Sequence, residues 1–230
     1  MLTYYRVRHD LGALAAARRA AQWMLTYRYP GYGAFRKGQA VNPQELLTTD
    51  NARAAALFYW LSLDVAGDSL KTFYRRVVVE ASEWLAFSAW FADGQPWFPV
   101  GLDSLDGNPI ASLNNAYTLP QALPLLAFKA MAPLIPQFPP SNFNGLPRLA
   151  AYDVAVNVPP NIRGQPLRTL RQADTLQSVW AYGTLRYAEA WTKVFNRDSL
   201  SFYRAQISYL QDTTGGVVLF GWPFPSGLSL

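Results

Sequence analysis

A segment that recurs at a fixed spacing restricts a fold more tightly than composition does, because each copy must offer the same faces to its neighbours. Here the run Asp68-Ser-Leu-Lys-Thr-Phe-Tyr-Arg75 returns, one position shorter, as Asp198-Ser-Leu-Ser-Phe-Tyr-Arg204, two repeat units further along the chain. A second series closes the long helices with an aromatic and then a loop that holds Gly and another aromatic. It reads Trp23 with Gly31-Tyr-Gly33-Ala-Phe35, Trp84 with Gly94-Gln-Pro-Trp97-Phe98, and Tyr209 with Gly215-Gly216 and Phe220. A third series starts helices, at Asp50-Asn51, Asn114-Asn115 and Asp174, each one unit after the last. All three series share one period, a little above sixty.

Within each unit the helices are of two kinds. Residues 50–66 are apolar almost all round, through Ala52, Ala54, Ala55, Leu57, Phe58, Tyr59, Trp60 and Leu61, which predicts burial on most sides. Residues 174–194 behave alike, with Val179, Trp180, Tyr182, Leu185, Tyr187, Ala188 and Trp191. By contrast, residues 69–91 set Leu70, Phe73, Val77, Trp84 and Leu85 against Arg75, Arg76, Glu80 and Glu83. Residues 199–210 split the same way, and Asp68 and Asp198 stand where N-caps belong. A buried helix alternating with a half-exposed one implies two layers. The fold class expected is all-α: a single two-layer α/α domain over residues 1–230, open or partial, with about 3.5 helical hairpins.

One unit departs from the pattern. Residues 112–131 start as a buried helix, but Pro120 and Pro124 are expected to end or kink it. From residue 133 to 171 a Pro-rich stretch reads as an ordered loop insertion anchored by Phe138, Phe143 and Tyr152, with one short helix expected over 146–156. Gly216 to Phe220 has the composition of a short strand.

The run Thr48-Thr-Asp-Asn-Ala-Arg-Ala54 resembles the helix starts of bacterial α/α-toroid domains in carbohydrate-active proteins, such as glycoside hydrolases, polysaccharide lyases and sugar epimerases of the (α/α)6 type. The endings at Trp84, Gly94 and Trp97, and at Tyr209 and Gly215, are similar to the loops that close outer helices in those folds. The resemblance covers most of the chain in layout and is specific to the architecture. It implies inner helices whose N-termini meet at one mouth, where their partial positive charge favours anions. With too few units for a closed ring, it also implies self-association or a partner chain at the ends of the arc. The strip Leu14, Ala17, Ala21, Met24 and Leu25 on the first long helix would then be left open.

Composition removes several classes. With no Cys there is no disulfide frame, Cys-bound zinc, iron–sulfur centre or thiol nucleophile, and with one His, His9, there is no His-rich metal site. No metal and no cofactor are expected. No apolar run reaches the length that a membrane-spanning helix needs. Leu11 to Ala17 runs into Arg18 and Arg19, the reverse of a secretory signal, so the residues assign no location: cytoplasmic is the default and secreted the alternative if a signal has been processed away. The net charge of +5 is 20 Lys and Arg against 15 Asp and Glu, and the basic residues are mostly Arg, scattered without a nucleic-acid motif, so nucleic acid is not an expected partner.

The mouth of the helices is therefore the candidate site, and a glycan the candidate ligand. Hydrolysis of a glycosidic bond needs two carboxylates across it, and Asp50 with Asp174, or Asp106 in reserve, are the candidates. Substrate binding falls to Asn51, Asn114, Asn115, Tyr32, Arg36, Trp97 and Gln177, whose amides, guanidinium and rings suit sugar hydroxyls and faces. Each has a plainer reading beside it: Asp50 and Asp174 as caps, Asn114 and Asn115 as a cap and a turn, the rings as packing between layers. Asp103 and Asp106 lack the remainder of a calcium loop. The alternative to an active domain is a non-catalytic structural or assembly subunit with the same layout.

Overall fold

The computed structural model of the chain describes residues 2–29, 31–37, 44–89, 98–103, 109–110, 118–137, 153–156, 167–170, 181–195, 201 and 204–205. These residues are mostly helical. In chain order they form α1 (Leu2–Arg8), α2 (Leu11–Leu25), β1 (Glu45–Leu47), α3 (Thr48–Asp64) and α4 (Asp68–Glu83). A π-helical stretch over Trp84–Ala89 follows, then β2 (Gly101–Asp103), β3 (Pro109–Ile110), α5 (Thr118–Met131), β4 (Asp153–Val156), β5 (Leu167–Leu170) and α6 (Ala181–Phe195). The chain divides into two compact units, one of Met1–Gln95, Pro99–Ala111 and Ala127–Ser141, the other of Pro96–Phe98, Ser112–Leu126 and Asn142–Leu230.

In the first unit, His9 takes a left-handed turn (φ 53°) between α1 and α2. Asp10 then caps α2, its Oδ1 accepting from the backbone N–H of Gly12 at 2.8 Å and of Ala13 at 3.2 Å. The strip on α2 turns inward: Ala17 and Ala21 are buried, and Leu14, Met24 and Leu25 are half-buried. The open strip expected there is thus a packing face. α1 is fastened to the end of α3 by Arg6, which donates to both oxygens of Asp64 at 2.8 and 3.0 Å and lies over the Trp60 ring at 4.1 Å.

The centre of this unit is α3 against α4. Ala52, Ala54, Ala55, Phe58 and Leu61 of α3 are buried, and so are Tyr74, Val77, Val78 and Ala81 of α4. Small residues on α3 allow the approach, and each large side chain taken from water contributes about 1.5–3 kcal/mol. Phe58 stacks on Phe35 with ring centres 5.5 Å apart and tilts against Tyr74 at the same distance. Arg75 and Arg76 stay exposed, as the amphipathic pattern predicts. Asp68 is the first residue of α4 and does not cap it; Gly67, at φ 91°, holds the cap position without a side-chain bond.

Three short strands join the same unit in the order β1-β2-β3, all antiparallel, with Leu46 opposite Leu102 and Leu102 opposite Pro109. Gly101 is required here, because a Cβ would come within 2.5 Å of the Leu46 carbonyl oxygen. The alternation of buried and amphipathic helices announces no such sheet; strands this short carry too few residues for period two to register.

In the second unit, β4 and β5 pair antiparallel from Asp153–Leu170 to Val156–Leu167. Residues 153–156 are therefore strand where a helix was expected; β-branched Val154 and Val156 suit that state. α5, whose residues are divided between the units, begins at Thr118 and continues through Pro124. Pro120 starts this helix and does not end it, since an N–H is not needed in the first turn. In α6, Arg186 and Lys193 donate to opposite oxygens of Glu189 at 2.7 and 2.6 Å. Among the described residues no helix is long and apolar enough to cross a membrane. The expected helix over 199–210 and the strand at 216–220 fall largely outside the described residues.

Candidate functional site

The loop after α2 builds the site. Its backbone folds back on itself through Tyr29 N–H to Ala34 O at 2.7 Å and Arg36 N–H to Tyr27 O at 3.0 Å. Gly33, at φ 70°, is needed at the tip, because a Cβ there would lie 2.7 Å from Glu80 Cβ and 2.9 Å from its carbonyl oxygen. Arg28 pairs with Glu80, while burial and then the neighbouring Arg76 charge pull its guanidinium below the ordinary value. This folding drives Phe35 into the core and leaves Arg36 and Lys37 beside the start of α3.

Asn51, the fourth residue of α3, is wholly buried and holds that loop. Its Oδ1 accepts from Phe35 N–H at 2.6 Å, and its Nδ2 donates to Phe35 O at 3.0 Å and to Leu47 O at 2.9 Å. Both backbone groups of one loop residue are thereby paired by a single amide. The same device occurs in the second unit. Gln121, the fourth residue of α5, accepts from Phe98 N–H at 2.8 Å and donates to Phe98 O at 2.6 Å. Phe35 and Phe98 stand one repeat apart in the chain. Asn51 thus serves the scaffold, with no free group to offer a substrate.

Next to this clamp in the first unit lies a cleft of about 230 Å³, lined by Trp23, Met24, Tyr27, Phe35, Arg36, Lys37, Asp50 and Arg53. Trp23 is 61% exposed and meets Tyr27 edge-on, with ring centres 4.7 Å apart. Asp50 is the third residue of α3, and Leu47, not Asp50, holds the cap position; the Asp50 Oδ1 faces Arg53 at 3.6 Å. Lys37 is paired with Glu45 at 2.8 Å. Arg36 lies over the Tyr29 ring at 4.6 Å, and its Nε is buried without a hydrogen-bond partner.

Of the residues singled out from sequence, Asp50 and Arg36 meet in this cleft. Tyr32 is half-exposed on the same loop and packs against Tyr29 at 5.2 Å, outside the cleft lining. Asp174, Asp106, Asn114, Asn115, Trp97 and Gln177 lie outside the described residues. Trp23, Lys37 and Arg53 are additions; Lys37 and Arg53 sit within three residues of Arg36 and Asp50, a proximity that could have signalled them. Among the described residues no three His, Cys, Asp or Glu side chains gather as a metal cage. No protein-family model, no curated protein and no solved structure matches this chain.

Proposed function

We propose that this chain is a carbohydrate-active domain of α/α-toroid layout, open or partial, that takes a glycan ring in the cleft between the end of α2 and the start of α3. The observation that carries the reading is the exposed Trp23 indole on the wall of a cleft that also holds Asp50 and Arg36. A flat indole with a wet face suits the C–H side of a pyranose, and a carboxylate and a guanidinium suit its hydroxyls. The alternation of the buried α3 with the amphipathic α4 supports the two-layer layout. Asp50 is the acid or base of a hydrolytic reaction at this cleft.

Intrinsic fluorescence titrated with a panel of oligosaccharides tests the reading. Binding by the parent chain and its loss in Trp23→Ala, with the thermal midpoint unchanged, is the expected result. A parent chain that binds no member of the panel overturns it. The second reading, a structural or assembly subunit, draws on the exposed Tyr4, Val7 and Leu11 along α1 and the start of α2. A mass in solution above one chain that falls on Val7→Asp and Leu11→Asp favours that reading.

A further inference from the structure

The two amide clamps align in two blocks, the loop aromatics Phe35 and Phe98 lying 63 residues apart and the amides Asn51 and Gln121 lying 70 apart, and this alignment separates what the scaffold needs from what the cleft adds. Setting Phe35 on Phe98 and Asn51 on Gln121 places Pro99 at the position of Arg36 and Val100 at that of Lys37. It likewise places Pro120 at the position of Asp50 and Leu123 at that of Arg53. All four charged residues of the cleft thus have apolar counterparts in the second copy, where Pro99, Pro120 and Leu123 are buried. The two closing tryptophans differ too: Trp23 is 61% exposed and Trp84 is 2% exposed. A clamp that forms without charges in one copy does not require them in the other.

The charges have a sign. Arg36, Lys37 and Arg53 stand against the single carboxylate Asp50, so the lining is cationic. Asp50 faces Arg53 and Glu45 answers Lys37, which leaves Arg36 as the lining cation with no carboxylate ion pair among the described residues. Its Nε is a buried donor without an acceptor, and Arg36 is among the residues that line the cleft. Guanidinium matches the fork of a carboxylate. The volume of about 230 Å³ is below the ~300–1,000 Å³ typical of drug-sized sites, and suits one ring.

Resting on the glycan reading above, we infer that the ligand is an acidic saccharide. A uronate ring lies on Trp23, its carboxylate is held by Arg36 with Arg53 beside it, and Asp50 accepts a hydrogen bond from a ring hydroxyl.

The test compares oligogalacturonate with neutral galacto-oligosaccharide of equal length by calorimetry, with hexaglutamate as a third arm. The expected result is acidic saccharide bound roughly tenfold or more tighter than neutral, an advantage that shrinks with added salt. Arg36→Gln should bring the two saccharides within about twofold of each other. Arg53→Gln, at a half-exposed position, should narrow the gap less and is read beside its denaturant midpoint. Equal binding of both saccharides by the parent chain overturns the charge assignment while the glycan reading stands. Hexaglutamate bound as tightly as oligogalacturonate marks bare anion capture and overturns the saccharide. No binding of either saccharide overturns both.

Discussion

The loop before α3 and the loop before α5 are held in the same way by different residues. Asn51 reaches Phe35 across 16 residues of chain, and Gln121 reaches Phe98 across 23. In each case one side-chain amide, on the fourth residue of a helix whose first residue is Thr, pairs the N–H and the C=O of one buried aromatic. Asn51 makes a third bond, to Leu47 O of its own helix entry. Two facing backbone groups in a dry loop require one donor and one acceptor side by side, and the Asn and Gln amides carry both on one plane without a change of protonation. What repeats is therefore a backbone demand, and residue identity follows it loosely. Around that common device the first copy carries charges and an exposed indole, while the second carries Pro, Val and Leu.

Breaking the first clamp should have the largest effect. Asn51→Leu keeps the branched shape but orphans Phe35 N–H and O in a buried setting, and a loss of roughly 3–5 kcal/mol is expected from urea midpoints. Gln121→Met breaks the second clamp with one bond fewer, and roughly 2–4 kcal/mol is expected by the same measurement. Equal losses at both sites would mean that the Leu47 bond contributes nothing and that the two copies are energetically alike.

Smaller changes sharpen the contrast between scaffold and surface charge. In α6, burial raises the Glu189 pKa, but hydrogen bonds and charge from Lys193 and Arg186 outweigh it and leave the carboxyl below its ordinary value. A depressed folded pKa contributes stability that is present above the unfolded value and lost as pH falls through the folded one. Glu189→Gln should therefore cost about 0.5–1 kcal/mol at neutral pH, and the difference from the parent should vanish in acid. Arg53→Leu, which copies the second clamp into the first, should change stability by less than about 0.5 kcal/mol. A larger loss on denaturant melting would assign Arg53 to the fold and weaken the ligand assignment.

The helical character of α3 and α4 was legible because it depends on near neighbours in the chain. The all-round apolar run of α3, the two-faced pattern of α4 and the arginines left on its outer side follow from side-chain spacing on a helix. Pro120 misled because a helix start and a helix stop look alike from one Pro; only the first turn of α5 distinguishes them. Asn51 was legible as an important position but not in its role, since Asn beside a helix start suits a substrate hydroxyl and a loop carbonyl equally.

The sequence by itself determined the largely helical character of the chain, the contrast between the apolar α3 and the two-faced α4, and a composition without Cys and with a single His. These rest on composition and on contacts between near neighbours in the chain. Only the tertiary structure decided that Phe35 faces Phe58, that Asn51 and Gln121 perform one task, and that Arg36, Lys37, Asp50 and Arg53 surround one cleft with Trp23. Those facts join residues far apart along the chain. Local propensity does not encode such pairings; they emerge when packing the core leaves particular backbone groups in need of partners and particular charges on one wall.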